Sequence, residues 1–326
     1  MRGALAFLTA LLLCWLALAR TDGFSLKQIE NPQPFSDRRS DLLDEGPAAS
    51  FEMGLLFSQP FKYLSKGRQS FVFASEDGKV VLKFFKQSYF RDPLYLKWAR
   101  KVPLPWIQNW AAQETAKRNL RRDFYLNSYQ IALSKAKRET GVLYFHSGGG
   151  GGSFPSVEII DQASRKYRID LNSIPFVLQK RGEPLYPALD AAFREEGISG
   201  VYRLLDQFTE RIQDRIEQGI GDADCDIEHN WGVLDGQVLH LDPGRFYFAD
   251  DLPELEAVKR EWRRATGSFA NWLRTHYPDA EVYLKRKIEA SIAETNRRQD
   301  EPPVPISRIL RRDASPPVRF PISFRI

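Results

Sequence analysis

Three polar side chains, far apart along the chain, have the types that phosphate and a divalent cation require. Lys83 stands in an apolar, β-rich run, whereas Asn230 and Asp242 flank a predicted hairpin that turns at Asp235-Gly236. Because the two ends of a hairpin lie side by side, the oxygens of Asn230 and Asp242 are expected to meet, and hard oxygens of this kind suit Mg²⁺. An ammonium group across a cleft from that pair would help to neutralise phosphate charge, which is most of what phosphoryl transfer needs.

The elements that must position these groups change from strands to helices along the chain. Strands are predicted where β-branched and aromatic residues are concentrated, at residues 70–74, 79–85, 141–146, 157–161 and 174–179. The glycine-rich segment 147–153 is predicted to be a flexible hairpin loop between two of these strands.

Helices follow from apolar residues spaced three or four apart. They are predicted at residues 111–138, 201–216, 255–275 and 279–297, with a Pro- and Trp-rich insertion at 89–110. Strands followed by helices, with a hinge at residues 180–184, predict an α+β protein in two lobes.

In type and order, these motifs resemble the protein-kinase-like superfamily over about residues 61–297. Gly67 and Ser70 resemble the loop that covers the nucleotide phosphates, although Gly67 is the one glycine kept of the usual set. Lys83 is similar to the lysine that contacts the α- and β-phosphates. Asn230 and Asp242, the latter in Asp-Pro-Gly, are similar to the two metal-binding residues.

The resemblance implies a two-lobed fold, with an antiparallel sheet plus helix in the N-lobe and a mainly helical C-lobe. It also implies ATP and Mg²⁺ as cofactors. Combined with composition, it divides the chain into a signal peptide (1–19), a polar linker or arm (20–60), an N-lobe (61–180), a helical C-lobe with the metal-binding hairpin (181–297) and a disordered Pro/Arg tail (298–326).

The catalytic base of such an enzyme does not stand at its usual place. Five positions before Asn230 is Cys225, so a neighbouring aspartate would have to accept the proton of the acceptor hydroxyl. Asp224 is the first candidate and Asp222 the second. The alternative is that the carboxylates of this loop are solvated turn residues and that no base exists.

Two further residues are predicted to line the nucleotide site. Asp123 is the expected partner of Lys83, because it lies closer than Glu114 to the apolar face of its helix, formed by Leu120, Phe124 and Ile131. Either carboxylate can equally be an ordinary surface charge. Gln179, at the start of the hinge, is placed by the resemblance near an adenine ring.

The N-terminal residues predict export. A short basic start is followed by the apolar run Ala4–Ala19, which closes on the small-residue pattern Ala17-Leu18-Ala19. This is the pattern of a secretory signal peptide, so we expect a periplasmic or secreted protein. The alternative is an uncleaved N-terminal membrane anchor.

Composition limits the remaining possibilities. Of the 326 residues, 43% are hydrophobic and 13% aromatic, which is typical of a globular protein and excludes a disordered chain. The net charge of +5 is small for 47 basic and 42 acidic residues, and several arginines fall in the tail, so no nucleic-acid partner is predicted. A membrane partner is predicted only through the N-terminal segment.

The predicted function is that of an exported, atypical kinase. It would transfer the γ-phosphoryl group of ATP to a hydroxyl of an unknown protein or small-molecule acceptor. Since ATP is scarce outside a bacterial cytoplasm, a pseudokinase that serves as a binding or scaffolding module is one alternative. An envelope-associated domain that binds no nucleotide is the other.

Overall fold

The computed structural model describes residues 20–30, 53–148, 154–252 and 254–300, with side chains up to residue 297. The predicted signal peptide and nearly all of the predicted tail therefore lie outside the described residues. Within these ranges, no helix combines the length and the apolarity needed to cross a bilayer.

Seven strands form the larger sheet, in the order β4-β7-β3-β2-β1-β5-β6. Neighbours are antiparallel except β1 and β5, which are parallel. Its strands are β1 Phe61–Lys66, β2 Ser70–Ser75, β3 Val80–Phe85, β4 Val142–His146, β5 Ser156–Ile160, β6 Lys166–Asp170 and β7 Phe176–Lys180.

Helices and short strands make up the rest of the described chain. The helices are α1 Gln87–Phe90, α2 Leu94–Ala99, α3 Pro105–Lys135, α4 Lys137–Thr140, α5 Leu185–Glu196, α6 Ile198–Glu217, α7 Ile227–Asn230, α8 Leu255–His276 and α9 Pro278–Asp300. The short strands are β8 Glu183–Pro184, β9 Ile220–Asp222, β10 Trp231–Leu234, β11 Gln237–His240 and β12 Phe246–Phe248. The protein is thus of mixed α+β class, as predicted, and is compatible with a two-lobed kinase-like fold.

Both faces of the larger sheet are covered. In β3, Leu82 and Phe84 point to an aromatic core that also contains Phe71 and Phe73. Phe85 points the other way and packs beneath α3. Because side chains alternate along a strand, Lys83 lies on the same face as Phe85, towards α3.

The helical part has a separate core. The apolar stripe of α6, which includes Phe208 and Ile212, packs with Trp231 of β10 and with Trp262 and Phe269 of α8. The hairpin β10–β11 therefore rests on this second core while its open end faces the larger sheet.

The described N-terminal part of the predicted linker or arm, residues 20–30, packs on the larger sheet. Phe24 and Ile29 are buried, and the Phe24 ring lies 5.1 Å from that of Phe71. Asp22 pairs with Lys66 at the edge of the sheet. The polar composition concealed this packing because a few aromatic residues carry it.

Replacing Phe24 by alanine should lower the free energy of unfolding by about 3–5 kcal/mol, because a fully buried phenylalanine leaves a large cavity. Urea unfolding followed by circular dichroism measures this loss. Leu55→Ala is the matched control, since Leu55 is largely exposed and should change stability by less than about 0.5 kcal/mol. Equal midpoints for the two variants would show that this segment is not part of the folded core.

The predicted hairpin around segment 147–153 is wrong. β4 lies beside β7, whereas β5 pairs with β1 and β6, so the two strands are separated by four others. Local composition identified both strands, but a glycine-rich connection does not fix which partner a strand takes.

The predicted insertion at residues 89–110 is mostly helical. It holds α2 and the first turn and a half of α3, which begins at Pro105 instead of residue 111 and ends at Lys135 instead of residue 138. Proline at the first position of a helix costs no hydrogen bond, so Pro105 starts the helix instead of blocking it.

Candidate functional site

The hairpin β10–β11 positions Asn230 and Asp242. Its turn residues Asp235 and Gly236 both have positive φ, as a tight two-residue hairpin turn requires. Because Trp231 pairs with His240, the residues that flank them emerge at the same end. The Asn230 carbonyl accepts hydrogen bonds from the N–H groups of Leu241 (2.6 Å) and Asp242 (3.4 Å).

Lys83 crosses from the larger sheet to this hairpin end. Its Nζ donates a hydrogen bond of 2.7 Å to the carbonyl oxygen of Leu241, the residue before Asp242. The side chain is buried, which lowers the pKa of Lys83, while the negative charge of Asp242 acts in the opposite direction. Lys83, on the larger sheet, therefore contacts the end of the hairpin from which Asn230 and Asp242 emerge.

Helix α3 holds the Asp-Pro-Gly segment from the other side. The hydroxyl of Tyr129 donates to Asp242 Oδ1 at 3.1 Å, and the Gly244 N–H donates to the same oxygen at 3.3 Å. Burial, and then the Asp242 charge, raise the pKa of Tyr129, so the phenol stays protonated and remains a donor. The hydroxyl of Ser128 donates to the Pro243 carbonyl and accepts from the Phe246 N–H.

The donor set fits a hard cation such as Mg²⁺. The side-chain nitrogen of Asn230 donates to the Asp224 carbonyl at 3.4 Å, which orients the amide so that Oδ1 is its remaining acceptor. Tyr129 and Gly244 both bind Asp242 Oδ1, so Oδ2 carries neither of these bonds. One amide and one carboxylate oxygen, with waters and phosphate oxygens completing the shell, are the usual ligands of Mg²⁺.

The two candidate bases differ sharply in environment. Asp224 is half-buried in the loop before α7, where its carbonyl orients Asn230. Asp222 is buried, and its Oδ2 lies 2.9 Å from His240 Nε2. Burial opposes ionisation of Asp222, but the His240 hydrogen bond and nearby positive charges outweigh it and lower the pKa. A carboxylate engaged in this way is not available to an acceptor hydroxyl, so the geometry favours Asp224 of the two.

The loop with Gly67 connects β1 to β2, and its N–H donates to the Ser70 carbonyl at 2.9 Å. Ser70 stands on β2 two residues before Val72, which pairs with Lys83. Next to Ser70, the side chain of Gln69 donates to the hydroxyl of Tyr125 on α3. The loop end therefore reaches the helix that contacts the Asp242 segment.

Two predicted residues lie elsewhere. Asp123 is partly exposed and forms an ion pair with Arg122 (3.3 Å), whereas Lys83 bonds to the Leu241 carbonyl, so the expected Lys83–Asp123 pair is not formed. The side chain of Gln179 is buried and donates to the Thr140 carbonyl at 2.7 Å. That side chain joins β7 to the end of α4 and does not face an open cleft.

Sequence reasoning missed Tyr125, Ser128 and Tyr129, which face the site from α3. Their spacing of three and four residues puts them on one helical face, which was the available signal. It also missed the buried ion pair of Arg215 and Glu261 (2.7 Å), whose glutamate accepts the Asp222 N–H at 3.1 Å.

No protein-family model and no curated protein sequence matches the chain significantly. Among solved structures, WbdD in complex with a kinase inhibitor is similar over 72% of this chain and 45% of that chain, at 14% identity and a TM-score of 0.36. WbdD has also been solved as a bifunctional kinase-methyltransferase, at 14% identity, a TM-score of 0.33 and coverage of 74% of this chain and 46% of that one.

The complex of Rv3197 with erythromycin, from Mycobacterium tuberculosis, is similar over 71% of this chain and 62% of that chain, at 16% identity and a TM-score of 0.31. The matches therefore span from under half to just over three fifths of these solved chains. TM-scores of this size do not assign a fold.

Proposed function

We propose that the protein is an atypical kinase that transfers the γ-phosphoryl group of ATP to a hydroxyl acceptor. One observation carries the proposal: the buried ammonium of Lys83 lies 2.7 Å from the carbonyl oxygen of Leu241, the residue before Asp242, and the Asp242 charge acts on it. A buried lysine without a carboxylate at hydrogen-bond distance is costly, and such costs are typical of functional sites.

Each residue has a role that its environment supports. Lys83 would bind the α- and β-phosphates, and the Gly67–Ser70 loop would cover them. Asn230 and Asp242 would hold Mg²⁺, which neutralises phosphate charge when bound. Tyr129 would keep the Asp242 carboxylate oriented through its hydrogen bond.

The reaction needs one proton acceptor. The oxygen of the acceptor hydroxyl forms a bond to the γ-phosphorus as the bond between that phosphorus and the β–γ bridging oxygen breaks. ADP leaves with the electron pair of the broken bond, and the hydroxyl proton passes to the Asp224 carboxylate. We also propose that residues 1–19 direct export and that the N-lobe ends at residue 180, where the C-lobe begins.

A pseudokinase is the second candidate, favoured by the state of the two acidic residues. Asp222 is engaged by His240, and Asp224 stands one position out of register with the usual base. Such a protein would bind nucleotide and metal without transfer and would act through its surface.

Thermal unfolding with ATP and Mg²⁺ tests the proposal. Nucleotide at 100 times its dissociation constant should stabilise the protein by about 2.7 kcal/mol, seen as a higher melting temperature. ATP with EDTA is the control for the metal. Transfer of labelled phosphate to itself or to a generic substrate then separates a kinase from a pseudokinase. An unchanged melting temperature at millimolar nucleotide would contradict both and favour a domain without nucleotide.

A further inference from the structure

The segment between β3 and the site-facing half of α3 carries a large exposed aromatic and basic surface. Trp98 and Trp106 are each 70% exposed, although tryptophan is normally well buried. We call this region the aromatic–basic surface and define it by its exposed side chains: Leu94, Tyr95, Lys97, Trp98, Arg100, Lys101, Leu104, Trp106, Trp110, Lys117, Leu120 and Arg121.

The packing of α2 on α3 explains why the aromatic residues of α2 are exposed. Leu96 and Ala99 of α2 meet Ala111 and Ile107 of α3 in a small core of their own. This contact buries Leu96 and Ala99, whereas Leu94, Tyr95 and Trp98 of the same helix stay exposed. Tyr95 of α2 stacks on Trp110 of α3, with ring centroids 6.3 Å apart, and thereby joins the two helices into one surface.

The outer face of α3 combines apolar and basic residues. At about 100° per residue, Trp106, Trp110, Lys117, Leu120 and Arg121 fall within an arc of roughly 100°. All five are exposed. Over the same stretch of α3, Ala111 lies outside this arc and is buried against α2. A helix with such a face lies in the plane of a membrane, at the boundary between the acyl chains and the anionic headgroups.

The charge of the protein is concentrated here. Residues 91–123 contain eight basic and three acidic side chains, a net charge of +5, which equals the net charge of the whole chain. The rest of the chain has no net charge, although its C-terminal tail is itself basic. Three of the cations are ion-paired, Arg100 with Asp92, Lys117 with Glu114 and Arg122 with Asp123, and Lys101 Nζ lies 5.9 Å from the centroid of the Trp98 ring.

We propose that this aromatic–basic surface docks on the headgroup region of an anionic lipid bilayer. Tryptophan is enriched at membrane–water boundaries because its ring is amphipathic, and lysine and arginine beside it are attracted by anionic headgroups. Such docking would be peripheral and independent of the apolar run at residues 4–19. It also does not depend on phosphoryl transfer.

Charge and shape argue against two other partners that could cover this surface, a second copy of the chain and a nucleic acid. A second copy of the chain would bring another net charge of +5 onto the same surface, so self-association is repelled. A nucleic acid would match the charge, but the tryptophans stand on the outer sides of two helices and form no groove that follows a strand.

Sedimentation of the full-length protein with vesicles tests the docking. We expect it to bind vesicles of phosphatidylcholine with 30 mol% phosphatidylglycerol, and to bind pure phosphatidylcholine vesicles at least tenfold more weakly. Each basic residue near an anionic membrane surface raises the affinity by about fivefold. Trp98→Ser/Trp106→Ser and Lys97→Glu/Lys101→Glu should each weaken binding to the anionic vesicles at least tenfold. Sodium chloride at 0.5 M should release the wild type.

Matched variants make the result specific. Leu55→Ser/Phe248→Ser removes two exposed apolar side chains elsewhere, and Arg168→Glu/Arg263→Glu makes the same change in net charge elsewhere. Both should bind as the wild type does, and all variants keep the N-terminal run. Equal binding by the wild type and the two surface variants would overturn the proposal, because the N-terminal segment would then account for the binding. The proposal would also be overturned if the tryptophan variant still bound vesicles as the wild type does but had lost self-association or binding to an oligonucleotide.

Discussion

Replacing Lys83 by methionine should abolish phosphoryl transfer and the ATP-dependent rise in melting temperature, yet stabilise the nucleotide-free protein by about 1 kcal/mol. The buried ammonium is held by a backbone carbonyl and by the charge of Asp242, and burial dominates its energetics. Methionine has a similar length and carries no charge to desolvate, so it avoids the burial cost that lowers the pKa of Lys83. Transfer assays and thermal unfolding measure the two opposite effects.

The stabilisation should depend on pH in a defined direction. Burial lowers the pKa of folded Lys83 from its ordinary value of 10.5. Between the lowered value and 10.5, the unfolded chain binds more protons than the folded one, so the wild type gains stability as the pH rises. The advantage of Lys83→Met should therefore be greatest below the lowered pKa of folded Lys83 and vanish above about pH 10.5.

Two controls make this prediction sharp. Lys62→Met changes a lysine on the same sheet whose exposed ion pair with Glu76 contributes little, so both activity and stability should stay the same. Asp242→Asn keeps an acceptor for Tyr129 but removes the charge, and it should abolish transfer without unfolding the protein. Transfer that survives Lys83→Met and Asp242→Asn would show that the site is not between these residues.

The sequence predicted the convergence of Lys83, Asn230 and Asp242 because each part is local. An Asp-Gly turn between two short apolar runs defines a hairpin, and a hairpin brings its ends together. A lysine within a buried strand is unusual enough to draw attention. The sequence left open whether Lys83 reaches the hairpin, and its hydrogen bond to the Leu241 carbonyl shows that it does.

The rotation of α3 could not be predicted in the same way. The apolar residues Leu120, Phe124 and Ile131 indicated an inner face, but Leu120 is exposed and the face towards the site carries Tyr125, Ser128 and Tyr129. Polar side chains can be buried when tertiary contacts supply hydrogen-bond partners. The partner of Tyr125 lies 56 residues away in sequence, and those of Ser128 and Tyr129 lie more than 100 residues away. Asp123 was chosen from the apolar face alone, and this is why its predicted pairing failed.

Strand partners across long connections were also beyond the sequence. The strands near residues 142 and 157 were predicted, yet they lie in different parts of one sheet. The buried aromatic residue Phe24 was overlooked for a related reason, since its partners Phe71 and Phe73 are distant in the chain. Periodicity reports which face of an element is apolar, not which element covers it.

Replacing Glu261 by alanine is expected to lower the free energy of unfolding by about 3–5 kcal/mol. Glu261 on α8 forms an ion pair of 2.7 Å with Arg215 on α6, and both side chains are about 95% buried. Its Oε1 also accepts the N–H of Asp222, the residue that holds His240. Removing one partner of a buried ion pair leaves an uncompensated charge, which costs far more than the pair itself contributes.

The same substitution should weaken the candidate site through Asp222. Arg215 donates to the Ile220 carbonyl at 3.0 Å, so Arg215 and Glu261 together fix both ends of β9. β9 leads directly into the loop with Asp224, whose carbonyl orients Asn230. Nucleotide binding in the presence of Mg²⁺ should therefore fall in Glu261→Ala even at temperatures where the protein remains folded.

A double variant separates the lost charge from the lost packing. Glu261→Met/Arg215→Met replaces both ions by apolar side chains, and it should recover most of the stability that Glu261→Ala loses. Glu256→Ala on the same helix breaks only the exposed pair with Lys259, so it should cost less than about 0.5 kcal/mol. Chemical unfolding of the four proteins gives the comparison. A Glu261→Ala variant no less stable than Glu256→Ala would mean that the buried pair does not support β9 and the loop that follows it.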